Sequence, residues 1–148
     1  LTREVENEIL PLCKELGISF IPFSPLSRGL ITTKLDMAAL DDTDFRKILP
    51  RFVGNHLENN QQLALEFAKF AEEKGCTAAQ LALAWLLAQG ESIIPIPGTK
   101  RRTYLIENAG AVDIVLSKED LLEIENILAR FPNIGERYTS NLSKMTGK

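Results

Sequence analysis

At 148 residues, 45% hydrophobic and 25% charged, the chain has the composition of a soluble globular protein with enough length for a core. A formal net charge of −3 argues against general affinity for nucleic acid. No apolar run nears the roughly 20 residues of a membrane span and no signal-peptide pattern opens the chain, so the expectation is a cytoplasmic protein.

The chain begins at Leu1, without Met and directly on a helical pattern, as expected of the back part of something longer. Val5, Ile9, Leu12, Cys13 and Leu16 recur at helical spacing and Gly17 follows as a stop. Pro11 within that run calls for a bend or a late helix start. Ile18 to Phe23, apolar, β-branched and aromatic between Gly17 and Pro25, reads as a buried strand. Ser24 to Asn59 has weak periodicity and scattered charge, the mark of a lid or binding loop.

Leu63, Phe67, Phe70 and Ala71 define a second helix, closed near Gly75. Thr77 with Gln80 is a capping-box signature, opening a helix with Leu81, Ala84, Trp85 and Ala88 on one face. Ile93 to Ile96 reads as a second strand, followed by a helix carrying Leu105, Ala109 and Val112. Ser117 with Asp120 caps a last helix bearing Leu121, Ile124 and Leu128, and 132–148 is a polar tail. The order suggests α/β architecture with parallel strands, yet two strands do not make a stable parallel sheet. The expectation is one incomplete domain over residues 1–148, with further strands upstream or on a partner.

Several groups carry a bland reading. Cys13 and Cys76 lack metal-ligand spacing and read as buried thiols, a single disulfide being the weaker alternative. Asp41, Asp42 and Asp44 read as a solvated acidic turn, Trp85 as core, and His56 as a solvated loop histidine.

Two segments carry chemistry. Ile93 to Ala111 runs from an apolar stretch through Pro97 and Gly98 into Lys100, Arg101 and Arg102, then a helix. Gly98 permits close backbone approach, and a helix N-terminus presents unpaired N–H groups to an anion. Taken alone, a surface basic patch explains the cations equally well. The first strand ends in Phe23-Ser24-Pro25-Leu26-Ser27-Arg28-Gly29, again with glycine, hydroxyls and a cation. Two such strand ends on one face suit a phosphorylated ligand.

From Thr2 to Tyr138 the sequence resembles the C-terminal portion of an aldo-keto reductase. The matching motifs are Arg3-Glu4-Val5-Glu6, Ile9-Leu10-Pro11-Leu12-Cys13, Phe23-Ser24-Pro25-Leu26 with Arg28-Gly29, and Gln80-Leu81-Ala82-Leu83-Ala84-Trp85. Pro95-Ile96-Pro97-Gly98-Thr99-Lys100, Glu107-Asn108 and Gly135-Glu136-Arg137-Tyr138 complete them. The bacterial and plant branch that reduces varied aldehydes and ketones is the most similar. The resemblance implies a TIM-type (β/α)8 barrel, of which this chain supplies the seventh and eighth strands, with NADP(H) as cofactor.

It further implies that Phe23 stacks on the nicotinamide where the family usually has Tyr or Trp. Ser24, Pro25, Leu26 and Gly29 match the turn beside the pyrophosphate, and Lys34 a cation of the loop over the cofactor. Thr33 stands where glycine is usual, a change that stiffens the loop. Gly98, Thr99 and Lys100 match the 2′-phosphate site, and Glu107 and Asn108 the adenine contacts. Tyr104 replaces a frequent Arg or Gln and offers stacking instead, which leaves NADP favoured over NAD without excluding it. The family's catalytic Asp, Tyr, Lys and His have no counterpart in this sequence, so no catalytic residue is assigned. Two roles stay open for Arg137 and Tyr138: anchoring the tail or reaching the active-site rim.

The implied partners are an aldehyde or ketone substrate and the missing N-terminal half of the barrel, and exposed edges would favour oligomers. The alternative is a non-catalytic dinucleotide-binding or interaction module.

Overall fold

A computed structural model describes residues 1–144. The longer elements are helices: α1 (Ile9–Glu15), α2 (Gly54–Glu73), α3 (Ala78–Leu87), α4 (Arg102–Ala109), α5 (Lys118–Arg130) and α6 (Ser140–Ser143), joined by short 3₁₀ turns. Helix α1 starts late, which puts Pro11 in its first turn, where the missing N–H has no intrahelical partner to lose.

The core lies between α2, α3 and α5. Helix α2 turns Leu63, Phe67, Phe70 and Ala71 inward at helical spacing, and Leu81 of α3 with Ile124 and Ile127 of α5 complete the cluster. Trp85 is partly buried against it. Both capping boxes form. Thr77 Oγ1 accepts from Gln80 N at 3.2 Å while Gln80 Oε1 accepts from Thr77 N at 3.1 Å. Ser117 and Asp120 repeat the exchange at 3.2 and 2.9 Å. Each cap contributes about 1 kcal/mol by satisfying donors that the first helical turn leaves open.

The two expected strands do not form. Segments 18–23 and 93–96 lie side by side in parallel register but share a single bridge, Phe20 with Ile93. Phe20 N donates to Ser92 O at 2.8 Å and Ile94 N donates to Phe20 O at 2.9 Å. The next rung requires an N–H from residue 22, which is proline. Toward the N-terminal side, Ile18 N is already donated to Cys13 O, closing α1. Pairing therefore stops at one bridge. The reading as two barrel strands is overturned by the absence of any sheet among the described residues.

Consequently these segments are not buried on both faces. Ile18, Ile21, Phe23, Ile94 and Ile96 are exposed. The chain exposes 9505 Å² for its 16.5 kDa, against about 7,500 Å² for a compact monomer of that mass.

Helix α2 begins at Gly54, so the irregular connection ends earlier than Asn59, and it contains 3₁₀ turns at Ser27–Thr32, Phe45–Ile48 and Pro50–Phe52. Those turns build a second cluster from Leu30, Leu49 and Phe52. The helix expected to carry Leu105, Ala109 and Val112 ends at Ala109, with Val112 in the 3₁₀ turn Gly110–Asp113, and Leu105 and Val112 are exposed while Asn108 is buried. Cys13 and Cys76 are free and half-buried. Burial raises the Cys76 thiol pKa above its ordinary value.

The segment from residue 132 to 138 folds back onto α2. The amide of Asn60, fully buried, donates to Arg51 O at 3.1 Å and Ile134 O at 2.9 Å, and accepts from Ile134 N at 3.0 Å. Gly135 adopts φ +86, and a Cβ there would lie 2.9 Å from His56 Nδ1 and 3.1 Å from Arg51 N. His56, exposed in the first turn of α2, donates through Nδ1 to Pro50 O at 3.1 Å.

Candidate functional site

The turn after Phe23 is strained. Ser24, Ser27, Arg28 and Thr33 all have positive φ, between 50° and 56°, and Gly29 lies at φ +93. Non-glycine residues in this region cost of order 1–3 kcal/mol each, and such residues cluster where a ligand is gripped. The turn nevertheless packs on α2 and α3 through Leu30 and Ile31, both buried. Thr33, at the position where the resemblance expects glycine, keeps a glycine-like φ of 56°.

This turn meets α4 across the sequence. Lys34 Nζ donates to Glu107 Oε1 at 3.4 Å and Oε2 at 3.5 Å, a long ion pair between a half-exposed ammonium and a largely buried carboxylate. The same ammonium lies 5.4 Å from the centre of the Tyr104 ring, and the Arg101 guanidinium lies 5.8 Å from it. Tyr104 thus carries two cations. Asn108 is buried one residue beyond Glu107.

Gly98, Thr99 and Lys100 occupy the exposed approach to α4. Thr99 Oγ1 donates to Arg101 O at 3.1 Å, and a Cβ at Gly98 would meet open space. Helix α4 has no side-chain cap, so its first N–H groups face solvent or a ligand. Among the described residues Lys100 has no carboxylate within ion-pair distance.

A cavity of about 220 Å³ opens at the start of the turn after Phe23, walled mainly by apolar side chains. Phe23, Ser24 and Pro25 line it, whereas Leu26, Gly29, Lys34 and the residues around α4 do not. Leu26 packs against the main core instead. The expected site residues therefore fall into two groups: an aromatic edge at the cavity, and a cationic surface formed by the loop and α4.

Arg28 belongs to the motif at residues 23–29 but has no role implied by the resemblance. Its guanidinium lies 5.6 Å from the Phe23 ring, 5.8 Å from Phe45 and 5.2 Å from Tyr138. Sequence spacing carries no trace of this cluster beyond the arginine's place in the turn. Arg51 and Arg137 also line the cavity.

Among the acids of the connection, Asp41 accepts from Thr43, Asp42 pairs with Lys47 and Asp44 with Arg46. Among the described residues no group of three potential ligands could hold a metal ion, and no helix is long and apolar enough to cross a membrane.

Residues 1–129 match the model of the Aldo/keto reductase family. The chain belongs to that family. It is 40% identical over 147 residues to the probable aldo-keto reductase 1 of Glycine max, covering 99% of this chain and 42% of that protein. The glycerol dehydrogenase of Gluconobacter oxydans superposes with a TM-score of 0.76 at 26% identity, over 93% of this chain and 42% of the other. An aldo/keto reductase of Klebsiella pneumoniae, solved in complex with NADP and acetate, has a TM-score of 0.57 at 24% identity, over 93% and 39%. The chain thus spans about two fifths of the length of these relatives.

Proposed function

We propose that this chain forms the cofactor-holding part of an NADP(H)-dependent oxidoreductase that reduces aldehyde or ketone carbonyls, with its catalytic proton donor outside the present sequence. The observation that carries the reading is the meeting of Lys34 with Glu107 and Tyr104. It brings the loop after Phe23 against α4, as one ligand touching both segments requires. Family membership and the NADP complex of the Klebsiella pneumoniae relative support it.

The donor set fits a phosphorylated dinucleotide. Phe23 is 61% exposed, so an aromatic face is open to stack on a nicotinamide ring. Ser24, Pro25, Leu26 and Gly29 shape the turn that would carry the pyrophosphate, with Lys34 beside it. Gly98, Thr99 and Lys100 precede the uncapped start of α4, where Lys100 acts as a point charge on the 2′-phosphate. Tyr104 offers its ring to the adenine, and Glu107 and Asn108 offer acceptors. The Lys34–Glu107 contact is long enough to yield to a ligand at modest cost.

When bound, NADPH supplies a hydride to the carbonyl carbon. The chain's own contribution is to hold charge at two points and to present the exposed Phe23 face at the edge of the apolar cavity. Among the described residues Tyr104 has cations but no histidine near it, so neither it nor Tyr138 is assigned as proton donor.

Titrating the chain with NADPH, followed through the cofactor's own fluorescence, tests the reading. Saturable binding is expected without turnover of a simple aldehyde. No binding would overturn the cofactor assignment, and steady turnover would overturn the external proton donor.

A further inference from the structure

The cavity has an electrostatic character that the cofactor reading does not use. Four arginines and two glutamates line it, a net charge of +2 in a chain whose net charge is −3. Arg3 is neutralised, since Glu6 and Glu125 both accept from its guanidinium. Three cations remain: Arg28, Arg51 and Arg137, all half-buried. Among the described residues no carboxylate lies within ion-pair distance of any of them. Glu4 lines the cavity and Glu136 neighbours Arg137; both are exposed, and their charges offset the cluster at Arg51 only in part, since its pKa stays lowered.

The donors of the three are left available in a way that suits an anion. Arg28 has aromatic rings against its faces, which leaves the in-plane N–H edge unused. Arg51 donates only Nε, to Gly135 O at 3.0 Å, so its terminal nitrogens are uncommitted. Arg137 has no hydrogen bond within the described residues. The Arg51 guanidinium is held below its ordinary pKa, first by burial and then by the charges of Arg137 and Arg28. Like charges gathered in a partly dry cavity repel one another, and an anion removes that cost.

We infer that Arg28, Arg51 and Arg137 form a carboxylate-binding site, and that the carbonyl substrate is a small aldehyde or keto acid. The inference rests on the proposed reductase function for the word substrate, and on the cavity alone for the binding. Planar carboxylates match the guanidinium fork with two parallel hydrogen bonds. The remaining wall is apolar, with Phe20, Phe67, Ile93 and Leu128, and accepts a short carbon chain. Phe23 lines the same cavity, so a carbonyl anchored by its carboxylate lies on the side where the nicotinamide is proposed to stack.

The test uses succinate as probe, succinamide as its neutral counterpart, and inorganic phosphate as the competing oxyanion. Trp85 is the sole tryptophan and lines the cavity, so its fluorescence reports occupancy. Succinate should produce a saturable change and succinamide none. Arg137→Gln should weaken succinate binding by about tenfold or more, the loss of one charge-assisted contact, with partial recovery in Arg137→Lys. Arg28→Gln provides a second variant whose guanidinium carries no described hydrogen bond. Equal responses to succinate and succinamide, unchanged binding in both glutamine variants, or tighter binding of phosphate than of succinate would each overturn the carboxylate site. NADPH binding is read separately. Its loss with succinate binding intact would sink the cofactor reading alone, and the reverse pattern would sink this site alone.

Discussion

Lys34 Nζ lies 3.4 Å from Glu107 Oε1, and this contact joins segments 73 residues apart in sequence. Its stability value is small, because the lysine side chain is 56% exposed and such pairs contribute about 0–1 kcal/mol. Its value to a ligand is larger, since Lys34 stands where the proposed cofactor crosses from one segment to the other. Lys34→Ala should leave the melting temperature within a few degrees of the parent and raise the NADPH dissociation constant roughly tenfold. Unaltered NADPH affinity would remove Lys34 from the site.

Thr33 holds φ 56°, a conformation that a β-branched residue adopts only under strain. Its hydroxyl is spent locally, donating to Thr32 O at 2.7 Å. Thr33→Gly should therefore stabilise the chain by about 1 kcal/mol in urea unfolding, the strain relieved exceeding the extra entropy of glycine. A destabilised variant would show that the threonine contacts outweigh the strain.

Asn60 and Gly135 pin residues 132–138 to α2. Asn60→Ala removes four hydrogen bonds, a long one from Asn59 among them, and leaves Arg51 O, Ile134 O and Ile134 N without that partner. A loss of about 2–4 kcal/mol is expected from buried groups so deprived. Gly135→Ala should cost at least about 1 kcal/mol, since φ +86 disfavours any side chain and backbone atoms of Pro50 and Arg51 lie 3.1 Å from the added Cβ. Calorimetric melts measure both. A neutral Asn60→Ala would show that the segment is held elsewhere.

Asp44 couples stability to acid. Its carboxylate accepts from the Arg46 side chain and backbone, which brings its pKa from 3.8 down to about 2. A depressed folded-state pKa means the stabilisation is complete above the ordinary value and is lost as pH falls through the folded one. The melting temperature should fall between pH 4 and pH 2, and Asp44→Asn should flatten that limb. Asp120, lowered by Lys74 and the Ser117 backbone, adds to the same limb with the same sign. A stability rising toward pH 2 would contradict both assignments.

Local signals were legible and long-range ones were not. The α2, α3 and α5 cores follow from apolar spacing, and both capping boxes from Thr77–Gln80 and Ser117–Asp120, because each involves residues within a few turns. The extended segments at 18–23 and 93–96 read as strands because apolar β-branched runs mark them. Sheet formation depends on a partner's N–H groups, and Pro22 withholds one. Apolar spacing gives the wrong inward face for α4 and the turn after it, since Leu105 and Val112 are exposed and Asn108 is buried. Of the candidate site, Lys34 lies in one motif and Tyr104 and Glu107 in another, and their meeting is tertiary, so no spacing in the sequence shows it. The cavity arginines come from three separated segments, and no spacing rule connects them.

The most direct test compares NADPH and NADH binding to the parent chain and to Lys100→Ala. Lys100 is proposed to meet the 2′-phosphate, the one group that distinguishes the two cofactors. NADPH affinity should fall by about tenfold or more, the worth of a charge-assisted contact, while NADH affinity stays within about twofold of the parent. Equal losses for both cofactors, or none for NADPH, would contradict the assignment of this segment to the cofactor.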